Sequence, residues 1–207
     1  PRMVLVDTAV VSRAPVRLLV SGMGDALATY FEARACAASG AVNEFGGGPS
    51  ASCLALAKLC YEILITDGPA AKAEAEGGQP GAAVERIIEA NTYLSGVGFE
   101  SGGIAGSHAV HNALTALPQT HHLYHGEKVA FGVQVQLTLE GASEYDTVRS
   151  FCKQVGLPTS FADLGLPNPT QEQLRLVAEK TAVDTMQNMP FPVTADMIYD
   201  ALVKVGA

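Results

Sequence analysis

A chain of 207 residues with 48% apolar side chains and a mean hydropathy of +0.19 can bury a real core, which excludes disorder as the default state. Its apolar runs are broken by Gly, Pro or charge well short of the roughly 18 residues a membrane span needs, and no basic-then-apolar leader opens it, so a soluble cytoplasmic protein is expected. A net charge of −8 without any Lys/Arg cluster argues against a nucleic-acid partner.

The first element in chain order is the short apolar, β-branched run MVLVD at residues 3–7, which reads as a buried strand. A strand cannot satisfy its backbone alone. Because the chain starts two residues earlier at Pro1, we expect the receiving sheet to belong to an N-terminal domain missing from this sequence; pairing with the LLVS run at 18–21 or with a second chain is the alternative. Residues 1–22 are thus expected to be strand and linker, and 23–207 a single all-α helical bundle. Helices are predicted over 25–38, 51–65, 81–94, 103–117, 127–140, 143–154, 170–181 and 194–205, with a polar Ala-rich piece near 70–76. Ser50 and Thr194 are placed as N-caps, and Thr170 with Gln173 has capping-box spacing. Gly46, Gly47 and Gly48 precede Pro49 and read as a loop, not a phosphate cradle. The four cysteines, Cys36, Cys53, Cys60 and Cys152, contain no C-x-x-C pair and are expected to be buried reduced thiols.

The chemistry concentrates in residues 101–126, SGGIAGSHAVHNALTALPQTHHLYHG, which hold all five histidines and no Lys, Arg, Asp or Glu. Imidazoles in so apolar a segment need hydrogen-bond partners or a metal ion. His108 and His111 fall three residues apart on one predicted helix face, His121 and His122 in the loop after Pro118, and His125 just before the next helix. Spacing alone does not rank the five. Asp25, following S-G-M-G, sits at the predicted start of a helix, where an acid is stabilised by the macrodipole without any function, and metal binding is the sharper alternative.

Two long segments, LLVSGMGDALATYFEARAC and IIEANTYLSGVGFESGGIAGSHAVHNALTALPQTHHLYHGEKVAFGVQ, closely resemble the C-terminal half of the bacterial glycerol dehydrogenases, the zinc-dependent branch of the iron-containing alcohol dehydrogenase superfamily, related in fold to dehydroquinate synthase. The resemblance implies that Asp25, His108 and His125 hold one Zn2+, and that Phe99 of the GFES segment lines the substrate pocket. It further implies oxidation of glycerol to dihydroxyacetone with NAD, which binds mainly to the absent Rossmann-like N-terminal domain, and assembly into homo-oligomers, often octamers. The family's iron enzymes carry a further histidine four residues after the aspartate; Thr29 stands there, which favours zinc. Dehydroquinate synthase would use a glutamate in place of Asp25. His111 is expected as a polar neighbour in a proton relay. A non-redox metal-binding or oligomerisation module, or an enzyme for another polyol, would share these features.

Overall fold

The computed structural model describes residues 3–43, 45–78 and 80–207. After the single turn α1 (Thr8–Val11) come the long helices α2 (Val16–Ser39) and α3 (Ala51–Glu76). Then α4 (Ala82–Glu89) passes through a π-helical turn (Ala90–Leu94) into α5 (Ser95–Gly102), followed by α6 (Gly106–Leu114), α7 (His125–Glu140), α8 (Tyr145–Val155), α9 (Gln171–Ala182) and α10 (Ala195–Gly206). The described residues contain no strand, so the fold is all-α as expected. Ser50, Thr170 and Thr194 cap α3, α9 and α10, accepting the backbone N–H of Cys53, Gln173 and Met197.

The structure corrects four readings. Residues 3–7 form no strand: nothing in the described chain offers a sheet edge, and Met3, Val4 and Leu5 are exposed. The LLVS run is helical, because α2 begins at Val16 and runs unbroken through residues 22 and 23, where the division into linker and bundle was expected; Leu19 and Val20 pack in the same core as Met23 and Leu27. The Gly68-Pro69 pair does not end α3. Leu64, Gly68, Ala71 and Ala75 bury one face across it, and Gly68 lies against the Phe151 ring so closely that a Cβ would sit 2.5 Å from Cε2, so packing offsets the hydrogen bond that proline removes. The SGVGFESG run, expected as a connection, is helix α5, and the break falls instead at Gly103, whose φ of +83° only glycine adopts without strain.

Two apolar clusters share α7. Val129, Ala130, Val133 and Leu137 pack toward α2, α3, α4 and α8, while Phe131 and Val135 pack toward α6, α9 and α10. Every residue of α7 from Gly126 to Leu137 is buried, as befits the central helix of a bundle. Its two buried glutamines are hydrogen-bonded: Gln134 Nε2 donates to the Pro158 carbonyl, and Gln136 joins the Ser107 hydroxyl on α6 to the Phe31 carbonyl on α2.

Candidate metal centre

Three close backbone approaches set the geometry. At the crossing of α2 and α7, a Cβ on Gly126 would lie 1.8 Å from the Ser21 carbonyl oxygen, and one on Gly24 would lie 2.3 Å from that of Gly126. Only hydrogen fits between these helices, and each glycine is the chain neighbour of a candidate ligand, Asp25 or His125. The second approach joins α7 to α6, where a Cβ on Gly132 would meet the Ser107 carbonyl oxygen at 2.2 Å, one residue from His108. The third lays α5 on α2: Gly98 and Gly102 face Thr29 and Ala33, one helical turn apart on both helices, which leaves Phe99 on the open side.

Asp25, His108 and His125 converge as a result, with one donor atom from each lying within 4.8 Å of the others. Asp25 Oδ1 is 3.0 Å from His125 Nε2 and 3.4 Å from His108 Nε2. Four-coordinate bonds of about 2.0–2.1 Å place neighbouring donor atoms about 3.3 Å apart, and these separations bracket that edge. Two imidazole nitrogens and one carboxylate oxygen fit a divalent cation that keeps a position open. Asp25 lies mid-helix, since α2 starts nine residues earlier, so the macrodipole does not account for it.

Electrostatics agree with the geometry. Burial by itself would raise the Asp25 carboxyl, but hydrogen bonds from His108 and His125 and their charge hold it far below the usual carboxylate range. Burial would likewise lower His108; the charge of Glu32, the hydrogen bonds that the ring donates to Asp25 and Glu32 and the charge of Asp25 prevail and raise it to about 10. The site therefore holds positive charge strongly, as a cation site must.

The three residues line a cavity of about 410 Å3 together with Thr29, Glu32, Asn91, Ser95, Phe99 and Ile104. Phe99 stands 6.1 Å, ring to ring, from His108. The Thr29 and Ser95 hydroxyls are hydrogen-bonded at 2.9 Å. His111 sits beside the centre, its ring 4.2 Å from that of His125 and its Nδ1 2.9 Å from the Asn112 side-chain oxygen; burial pushes it down to about 4, so it is neutral at physiological pH. His121 and His122 do not join the site. Their rings bond the Thr115 and Gln119 carbonyls in the exposed connection. The sequence reading missed Glu32, whose carboxylate contacts His108 Nδ1 at 2.6 Å; its spacing of seven from Asp25, two turns along an otherwise Ala-rich helix, was the available signal.

No family model matches the chain. Over 98% of its length it is 53% identical to the glycerol dehydrogenase of Escherichia coli O6:H1 and 47% identical to the glycolaldehyde reductase of Halobacterium salinarum, covering 56% of each. It superposes on the crystal structure of a probable glycerol dehydrogenase from Sinorhizobium meliloti with a TM-score of 0.95 at 41% identity, over 99% of this chain and 59% of that one. The chain is homologous, along nearly all its length, to the glycerol dehydrogenases. It corresponds to the C-terminal part of these relatives and spans little more than half their length. Among the described residues, no helix is long and apolar enough to cross a membrane.

Proposed function

We propose that this chain is the metal- and substrate-binding half of a cytoplasmic NAD-dependent glycerol dehydrogenase that forms dihydroxyacetone, with Asp25, His108 and His125 holding Zn2+. The convergence of those three side chains at the edge of a cavity large enough for a small polyol carries the reading. Similarity to glycerol dehydrogenases supports the substrate class. The segment ahead of α2 is assigned to the junction with the NAD-binding part of the protein, α2 through α10 to the helical domain, and the working form to a symmetric homo-oligomer, octameric in keeping with the family.

A bound zinc ion supplies positive charge that makes a nearby alcohol more acidic and favours departure of hydride toward the nicotinamide. The chain's own residues do the rest. Thr29 and Ser95, hydrogen-bonded to each other, present a polar wall to the hydroxyls of a polyol. Phe99 and Ile104 supply the apolar wall that limits water. His111 is too weak a base at neutral pH to store a proton, but with Nδ1–H donated to Asn112 its Nε2 is left as an acceptor that would orient a substrate hydroxyl or a relaying water beside the centre.

The reading is tested on the full-length protein by zinc content and NADH formation. Stoichiometric zinc and glycerol-dependent turnover that chelation abolishes and zinc restores are expected; equal turnover on glycerol and unrelated monoalcohols would refute the substrate assignment. The similarity to the glycolaldehyde reductase favours one second reading, reduction of a short hydroxyaldehyde at the same site. Comparing kcat/KM for glycerol oxidation with that for glycolaldehyde reduction separates the two.

A further inference from the structure

Glu32 is 1% exposed, and among the described residues no Lys or Arg side chain bonds it. Its two oxygens have separate tasks. Oε1 accepts the backbone N–H of Ala105 and of His108, each at 2.9 Å, and thereby caps α6, whose own N-cap residue Ala105 has no side-chain acceptor. Oε2 faces the His108 ring, 2.6 Å from Nδ1. The end of α6 itself favours a carboxylate, but it occupies only Oε1; Oε2 faces the His108 ring.

We infer that Glu32 is the positioning residue of the metal centre: its Oε2 holds His108 in the Nδ1–H form, which leaves Nε2 as the lone-pair donor aimed at Asp25 and the cation. The inference rests on the cation site proposed above. A carboxylate behind a ligating imidazole fixes both the ring's rotation and its tautomer and raises its basicity.

Glu32→Gln separates the two tasks within one side chain. The amide oxygen still accepts both backbone N–H groups, but the amide nitrogen now faces Nδ1 as a donor. Nδ1 must then accept, and the ring is driven into the Nε2–H form, which cannot ligate. In the full chain we expect zinc affinity, measured by competition with a chelator, to fall about 10–100-fold, and nitrogen-15 NMR of the metal-free variant to show His108 Nδ1 without a proton, a change that a merely structural role would not produce. Nitrogen-15 NMR of zinc-loaded wild-type protein should show His108 protonated at Nδ1 and metallated at Nε2, a readout that needs no variant to fold. Zinc affinity of Glu32→Gln within about threefold of wild type, a loss with His108 Nδ1 still protonated in the variant, or metallation at Nδ1 in the wild type would each overturn the inference. Asp25→Asn and His125→Ala serve as controls. If both bind zinc as tightly as wild type, the cation site itself is wrong; if both lose zinc and Glu32→Gln does not, only the role given to Glu32 is wrong.

Discussion

At the scale of single residues, the centre is three side chains with unequal support. His108 is held from behind by Glu32, whereas His125 is half exposed and positioned by the backbone of the α7 start. Asp25→Ala, His108→Ala and His125→Ala are each expected to weaken zinc binding by more than the about 100-fold that loss of an outer-sphere partner costs, as read by metal analysis after dialysis. His121→Ala, in which only a bond to the Thr115 carbonyl is lost, should keep its metal. The cysteines give a second prediction. All four are buried and reduced, and burial raises Cys36, Cys60 and Cys152 to about 12, so thiolate is scarce at neutral pH. A thiol reagent at pH 8 should label essentially none of the four in the native protein and all four in denaturant.

At the scale of elements, the site depends on how closely α2, α6 and α7 approach. Gly126→Ala would place a methyl group inside van der Waals contact with the Ser21 carbonyl. We expect it to cost about 3 kcal/mol in denaturant unfolding and to weaken zinc binding, because moving α7 separates His125 from Asp25. Gly96→Ala is the control: a Cβ there meets nothing within 4 Å, so both readouts should stay near wild type, less the small propensity gain of alanine in a helix. The helical elements themselves were largely legible. Apolar residues at three- and four-residue spacing and the caps at Ser50, Thr170 and Thr194 located α3, α9 and α10. Where local rules failed, packing had overridden them: Pro69 continues a helix whose buried face spans it, and the glycine-rich α5 is helical because Gly98 and Gly102 allow it to lie on α2. The 3–7 run failed for the opposite reason, since strand propensity without a partner strand forms no sheet.

At the scale of the whole molecule, carboxylates tie the helices together and set a pH dependence. Arg34 on α2 donates to Glu140 at the end of α7 and to Glu144 before α8, while Arg17 grips Glu127 with two hydrogen bonds. Burial would raise Glu127 and Glu144, but the bonds from Arg17 and Arg34 hold both below the usual carboxylate range. Acids depressed in the folded state stabilise it above their unfolded pKa, and that contribution is lost as pH falls through the folded value. Unfolding free energy should therefore drop between about pH 5 and pH 3, and Arg34→Met should flatten the slope, as measured by urea titration at each pH.

The sequence by itself determined the helical class of this protein, because periodic burial and caps are written within a few residues of where they act. It also supplied the ligand types and, through two long motifs, the family. Only the tertiary structure decided that Asp25 and His125, 100 residues apart, meet at 3.0 Å, and that Glu32 stands behind His108. Those contacts arise where helices approach to backbone distance at Gly24, Gly126 and Gly132, and a glycine carries no local mark of which distant carbonyl it will face.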